Sequence, residues 1–350
     1  MQVTTVGLDL AKNVMQLHGV DATGKPVLRK KLRRSEVIAF FTGLSPCVVG
    51  MEACASAHHW AREITKLGHS VKLVPPTYVK PYVRRGKNDA IDAEAICEAV
   101  SRPGMRFVPV KSQEQQAVLM LHRTRALLVR QRTMIINALR AHLAEFGLVV
   151  AKGIGQVPEL IAKVFSDTPE AAGIPAIART AIAPLVMQIE ELTEQVQQLE
   201  KKLLAWHKTS DASRRLATIP GVGLITATAL AATVTDPSHF KSGRQFAAWL
   251  GLTPRQNSSG GKNRLGSISK MGDRYLRTLL IIGATSIIRY ARSNASAGAS
   301  WVNGLLAKKP ARLVSVALAN KTARIAWAIL ARGQVYRAPE SSRQSVPVAV

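Results

Sequence analysis

Residues 3–10 read VTTVGLDL: an apolar run, rich in β-branched residues, that stops on a carboxylate. Such a run reads as a buried strand. Working outward, residues 14–20 and 27–32 flank the turn-rich stretch Asp21-Ala22-Thr23-Gly24-Lys25-Pro26, so they read as a hairpin. Ser35 is placed to cap a short helix reaching about Thr42. Residues 47–51 (CVVGM) form a second apolar strand, again ending on an acid, Glu52. A helix over 57–67 and a strand over 71–74 complete an alternating α/β pattern.

Two acids at strand ends matter because open α/β sheets place their ligand sites there. A loop marked by Pro75, Pro76 and Pro81 then leads through Arg84-Arg85-Gly86-Lys87-Asn88 into a helix starting near Asp89. Asp89 and Asp92, three apart, share one face of that helix. Each acid alone has an ordinary reading: Asp89 and Asp92 suit a helix N-terminus, and Glu52 suits a cap. Together they select Asp9, Glu52, Asp89 and Asp92 as one constellation. Clustered carboxylates repel each other unless a cation sits among them, and hard oxygen donors suit Mg²⁺ or Mn²⁺. Two such ions about 4 Å apart can clamp a scissile phosphate. Arg84, Arg85 and Lys87 are candidates to hold that phosphate's backbone.

Charge points to the partner. The chain has 350 residues, with 48 Lys and Arg against 22 Asp and Glu, a net charge of +26. A fold does not need that excess, and a polyanion relieves it. The basic residues are spread over three segments rather than packed beside one anchor, which favours nucleic acid over a membrane surface. The longest uncharged run, Leu216 to Thr235, contains Pro220, Gly221, Gly223 and five threonines and is a poor span. Cys47, Cys54 and Cys97 have neither zinc spacing nor an even count, so reduced thiols in a cytoplasmic, nucleoid-associated protein are expected. Asp9 interrupts the first apolar stretch, so no signal peptide is expected.

Downstream, residues 112–146 read as one long basic helix and 147–183 as a mobile connection with short helices. Leu185, Ile189, Leu192, Val196, Leu199, Leu203 and Trp206 recur at alternating spacings of four and three, a heptad seam on a helix opened by Pro184. The seam predicts helix pairing, within or between subunits. Residues 212–337 carry 19 Lys and Arg against Asp236 and Asp273 alone, with helical segments at 224–234, 245–250, 274–290 and 311–331. Ile219-Pro220-Gly221-Val222-Gly223 resembles the hairpin of a helix-hairpin-helix element. In that reading Gly221 and Gly223 let the backbone approach a phosphate; a plain helix connection is the alternative. Residues 251–262 (GLTPRQNSSGGK) form a flexible serine-bearing loop, followed by Arg264, Ser269, Lys270, Gly272, Arg274 and Arg277. With Arg255 and Lys262, these cations are phosphate-binding candidates. A solvated loop with no covalent role fits as well, because a serine nucleophile needs an activating base.

At these motifs the chain resembles the IS110 insertion-sequence recombinases, and more closely their IS1111 branch, over roughly residues 1–335. GLDLAK, GMEAC and KNDAIDAEAI match the four acids of their RuvC-like, RNase H-like DEDD domain, at Asp9, Glu52, Asp89 and Asp92. IPGVG, GLTPRQNSSGGK and ISKMGDRYLRTLL match their transposase domain. The resemblance implies four regions: a RuvC-like domain (1–110), a coiled-coil multimerisation linker (111–211), a mostly α-helical transposase domain (212–337) and a disordered tail (338–350). It implies a serine that forms a phosphoserine link with DNA, mapped to Ser259 with Ser258 adjacent. It also implies a composite site between subunits of a dimer that assembles to a tetramer, acting on donor and target DNA. A guide RNA encoded by the element, a bridge or seeker RNA, would choose both, although no RNA-reading motif is evident. Two rivals remain open: a metal-dependent nuclease or junction resolvase that uses water, and a non-enzymatic nucleic-acid packaging protein.

Overall fold

The computed structural model describes residues 2–83, 89–166, 173–262, 264–293 and 300–338. The chain divides into two compact units, Met1–Ser112 and Gln113–Val350.

The N-terminal unit is built on a five-stranded sheet in the order β3-β2-β1-β4-β5. The strands are β1 (Thr5–Asp9), β2 (Val14–Val20), β3 (Pro26–Arg33), β4 (Val48–Glu52) and β5 (Ser70–Val74). β1, β2 and β3 are antiparallel neighbours, whereas β4 and β5 run parallel to β1. This mixed sheet is compatible with an RNase H-like fold. Helices α1 (Val37–Thr42) and α2 (Ala57–Lys66) supply Val37, Phe41, Trp60 and Ile64 to one core beneath Val6, Leu8 and Met51. Helix α4 (Asp89–Val100), whose Ala95, Ile96 and Ala99 join a second cluster with Val74 and Val79, packs on β1 and β2.

Two local expectations are corrected here. Ser35 does not cap a helix: it lies inside a 3₁₀ turn, Arg34–Glu36, and the Glu36 carboxylate instead accepts the Arg33 backbone N–H at 2.7 Å. The proline-marked loop after β5 is partly helical, as α3 (Pro76–Val79) and a 3₁₀ turn, because proline is well placed in a helix's first turn.

Among the described residues the C-terminal unit is helical apart from one small hairpin. Helix α5 (Gln113–Ala144) is followed by α6 (Val157–Val164) and α7 (Ala176–Thr209). Leu148, Val157, Leu160, Val164 and Ile174 share one core with Ile136, Leu139, Leu143, Ile182, Val186 and Ile189. Part of the connection expected to be mobile is therefore packed into this core. Pro184 does not open the heptad helix. Pro175 does, nine residues earlier, and Pro184 lies within α7 on an exposed face. The heptad seam is met inside the chain by α5. Ile189 clusters with Ile136 and Leu139, and Leu203 with Val118. Arg125 pairs with Glu200 at 2.6 Å, and the Trp206 indole N–H donates to Glu114. Rising numbers on α5 meet falling numbers on α7, so the pair is antiparallel.

Helices α8 (Asp211–Ala217), α9 (Leu224–Thr233), α10 (Gly243–Trp249), α11 (Arg274–Ser293), α12 (Ser300–Leu306) and α13 (Ala311–Arg332) share one large core. Helix α13 is long and apolar enough to cross a membrane by length and composition. Here Val314, Ala319, Ala323, Ala326 and Ile329 are buried in that core. The tail expected to be disordered lies, beyond Ala338, outside the described residues.

Candidate active site

The acidic site begins with two glycines. Gly7 and Gly50 face each other in the parallel register of β1 and β4, each two residues before its strand's terminal acid. Residues two apart in a strand lie on one face. Asp9 and Glu52 therefore emerge on the face where α4 packs. A Cβ on Gly7 would lie 2.1 Å from the Ala93 carbonyl oxygen and 2.5 Å from the Cys97 nitrogen; one on Gly50 would meet Val100 at 2.8 Å. The missing side chains let the helix backbone settle directly onto the strands. Because Cys97 and Ala93 lie over Gly7, the helix start, with Asp92, points toward the strand ends that carry Asp9 and Glu52.

Electrostatics agree with that placement. The Glu52 carboxyl is raised above its ordinary range, first by burial and then by the negative charge of Asp92. Asp9 and Asp92 are half-buried. Asp89 is the first residue of α4, but its side chain lies outside the described residues, as do Arg84, Arg85 and Lys87. Among the described residues no three His, Cys, Asp or Glu side chains are grouped closely enough to hold a metal ion.

The serine segment is a hairpin rather than a free loop. Strands β6 (Pro254–Gln256) and β7 (Leu265–Ile268) pair antiparallel, and the Asn257 N–H donates to the Arg264 carbonyl. The turn closes through Lys262 N–H to Ser259 O at 3.1 Å, with Gly260 and Gly261 at φ of +56° and +73°. The two serines differ. The Ser258 hydroxyl accepts the Arg264 backbone N–H at 3.2 Å and the Gln256 side-chain amide at 3.3 Å. The Ser259 hydroxyl, exposed at the turn, has no hydrogen-bond partner among the described residues. Arg255, Lys262, Arg264, Lys270 and Arg274 are exposed along the hairpin and just beyond it, and the Arg255 guanidinium donates to Ser269 O at 3.4 Å.

Arg277 does not belong with these cations. It is 8% exposed, and its guanidinium donates to the carbonyls of Leu250 and Met271 at 2.9 and 3.2 Å. It ties α11 to the base of the hairpin. Gly251 and Gly272 serve the same junction: a Cβ on Gly251 would lie 2.1 Å from Met271 O, and one on Gly272 1.8 Å from Trp249 O.

The IPGVG segment links α8 to α9, as a helix–turn–helix connection requires. Its two glycines have different surroundings. Gly221, at φ +77°, would place a Cβ 2.6 Å from Ile287, and Gly283 of α11 would place one 2.0 Å from Gly221 O. Gly221 thus serves helix packing, while Gly223 faces open space at the start of α9.

Comparison with known proteins decides the family. A family model described as "Transposase", for the DEDD transposases of IS110, matches residues 6–147, and one described as "Transposase IS116/IS110/IS902 family" matches residues 213–298. The chain belongs to the IS110 family of transposases. It is 50% identical over 339 residues to a protein of Pseudomonas aeruginosa named "Probable family 20 transposase", covering 96% of this chain and 99% of that protein. It is 42% identical to the transposase for insertion sequence element IS1328 of Yersinia enterocolitica, over 95% and 98% of the two chains. It is 38% identical to the transposase for insertion sequence element IS1111A of Coxiella burnetii, over 96% and 92%. The chain is an insertion-sequence transposase, an enzyme of DNA recombination. The first model spans Asp9, Glu52, Asp89 and Asp92; the second spans IPGVG and the serine hairpin.

Proposed function

We propose that this transposase is an RNA-guided recombinase that cuts and rejoins donor and target DNA through a covalent link to Ser259. The observation that carries the reading is the contrast between the two serines. The Ser258 hydroxyl is held by the hairpin, whereas that of Ser259, exposed at the turn that Lys262 closes, has no hydrogen-bond partner among the described residues. A nucleophile must be exposed and free to meet phosphorus. In the step proposed, Ser259 Oγ attacks the scissile phosphorus, losing its proton to a base. The new Oγ–P bond replaces one P–O bond to deoxyribose, and the released oxygen leaves as a hydroxyl after taking a proton. Attack by a second strand's hydroxyl reverses the step and restores the serine, so no phosphodiester energy is lost to water.

Asp9, Glu52, Asp89 and Asp92 are the residues that would hold Mg²⁺ or Mn²⁺. The fit rests on donor chemistry and on the strain of the site: hard carboxylate oxygens, with Glu52 raised by burial and by Asp92. A bound divalent ion would supply neutralising charge and polarise the phosphate. Arg84, Arg85, Lys87, Arg255, Lys262, Arg264, Lys270 and Arg274 would hold nucleic-acid backbones, with Gly223 admitting a phosphate to the α9 N-terminus. The acids of one subunit would meet the serine hairpin of another in a dimer or tetramer. The net charge of +26 suits a guide RNA together with two DNA duplexes.

The test is trapping of protein–DNA adducts on supercoiled cognate DNA with the element's own RNA. Wild type and Ser258→Ala are expected to give the adduct and Ser259→Ala none. Adduct in both alanine variants would remove the covalent role. Free ends that never rejoin, at wild-type rate in Ser259→Ala, would select hydrolysis by water.

A further inference from the structure

The edge strand of the N-terminal sheet carries a feature that neither the carboxylates nor the serine explain. From Lys25 to Arg34 the chain places six cations in ten residues: Lys25, Arg29, Lys30, Lys31, Arg33 and Arg34. All six are exposed, while Leu32 between them is buried. β3 is the last strand of the sheet, so this row lies along a free edge. Exposed charge on an edge strand guards against pairing with other sheets, and that accounts for some of the row. It does not account for what lies at its end.

There Asn13, Arg33, Arg34, Ser35, His59 and Trp60 line a cleft of about 650 Å³. The antiparallel register sets its place. Val14 lies opposite Arg33, and Gln16 opposite Asp9. The end of β3 is thus the same end of the sheet where β1 and β4 finish on Asp9 and Glu52.

The cleft is built rather than incidental. The Arg34 guanidinium lies 5.0 Å over the Trp60 ring, which holds its plane, and the Arg34 backbone N–H donates to Asn13 O at 3.0 Å. Trp60 is only 4% exposed, yet its indole N–H has no acceptor among the described residues. A buried donor left without a partner is costly. The nearby acids do not neutralise the cations. Glu36 accepts the Arg33 backbone N–H, and Glu63 pairs with Lys66 at 2.9 Å. A stacked arginine, a second arginine, an asparagine and a serine form a donor set for an anionic oxygen ligand. At about 650 Å³ the cleft has the volume to seat a nucleotide-sized group.

We infer that the β3 edge and the Arg34–Trp60 cleft bind the phosphodiester backbone of a single nucleic-acid strand and lead it past the end of the sheet toward Asp9 and Glu52. The row along β3 would track successive phosphates, as in electrostatic grooves for single strands, and the cleft would seat one of them with its sugar.

The test uses the full chain and short labelled single strands, one of DNA and one of RNA, titrated at several salt concentrations. Arg33→Gln combined with Arg34→Gln is expected to weaken at least one strand about tenfold. It should also lower the salt slope by about 1.4, at about 0.7 per lost phosphate contact. Whichever strand responds identifies the natural occupant. Unchanged affinity and slope for both strands, in a variant with wild-type circular dichroism and melting, would overturn the inference. So would an equal loss in a Lys308→Gln, Lys309→Gln control, which removes the same charge from the exposed surface of the C-terminal unit. The readout is binding, not joining, so it can fail while the Ser259 adduct still forms, and the reverse.

Discussion

The two units of this transposase present their candidate chemistry in opposite ways. In the N-terminal unit the groups are acids: Asp9 and Glu52, half-buried at the ends of strands, and Asp92 on a helix that lies on bare glycine backbone. The Glu52 carboxyl is raised, first by burial and then by the negative charge of Asp92. In the C-terminal unit the group is a neutral hydroxyl at the tip of an exposed hairpin whose base is fixed by close-packed glycines and by Arg277. On the proposed reading, one site would gain from a cation, and the other would offer a nucleophile on a fixed mounting. The contrast indicates that the acids need a rigid frame to stay close, whereas the serine needs reach.

The largest effects should come from breaking either half. Ser259→Ala should abolish joining and leave no adduct even after long incubation. Asp9→Asn should lower the rate of adduct formation by at least ~10²-fold, the scale of losing one electrostatic element of an active site. Time courses of adduct and joined product measure both. If Asp9→Asn reacts at wild-type rate, the acidic half of the contrast fails. Ser258→Ala removes only two hydrogen bonds within the hairpin and should retain the adduct.

Much of this was legible in the sequence. VTTVGLDL and CVVGM announced their strands because β-branched runs ending on an acid have few other uses. The acids of the family motif could be located from their positions at element ends. Three features were not legible. The hairpin around Ser259 has short, exposed strands, and its signal is the Gly260-Gly261 turn rather than any apolar alternation. Arg277 looked like its exposed neighbours, since only the fold shows that it meets two carbonyls. The seam of α7 gave a pairing but not a partner: a heptad reads the same whether α5 or another subunit covers it. Pro184 misled because proline is tolerated on an exposed helical face when burial of Ile182 and Val186 extends the helix beyond it.

The frame itself can be broken next. Gly7→Ala would set a Cβ 2.1 Å from a backbone carbonyl, which cannot move aside as a side chain does. Overpacking costs about 1–3 kcal/mol where neighbours adjust, and here the value should fall at the upper end. Denaturant melting should show the loss, with α4 displaced and activity reduced with it. Gly260→Ala faces open space, and only its φ of +56° is strained, so its effect on stability should be smaller. Equal losses at the two positions would remove the distinction between framed and free.

The units should also respond to pH in opposite directions. In the C-terminal unit His122, 1% exposed and 3.1 Å from the Tyr275 hydroxyl, is pushed down to about 4, first by burial and then by Arg125. Its folded form resists protonation. Between the ordinary value of 6.5 and about 4 the unfolded chain therefore binds more protons, and stability falls as pH falls through that window. The loss is on the order of 3–4 kcal/mol if the shift is fully expressed. Melting followed from pH 7 to 4 should show this slope, flattened in His122→Gln; an unchanged slope would place the acid sensitivity elsewhere.

Glu52 works the other way and more weakly. Its raised carboxyl means that the folded form holds its proton to higher pH than the unfolded chain does. The cost of ionising it is absent below the ordinary glutamate value and sets in as pH rises through the raised one. Above that raised value the folded form bears the cost of an ionised Glu52. Glu52→Gln should raise the melting temperature slightly in the absence of divalent ions, though it should lower activity. Added Mg²⁺ should stabilise the wild type through preferential binding to the folded form and stabilise Glu52→Gln less. The decisive measurement is the difference between the two melting shifts at saturating Mg²⁺. If wild type and variant rise equally, the ion acts elsewhere. If neither rises, the repulsion at Glu52 is relieved by some means other than a cation, and the acidic site loses the physical reason assigned to its crowding.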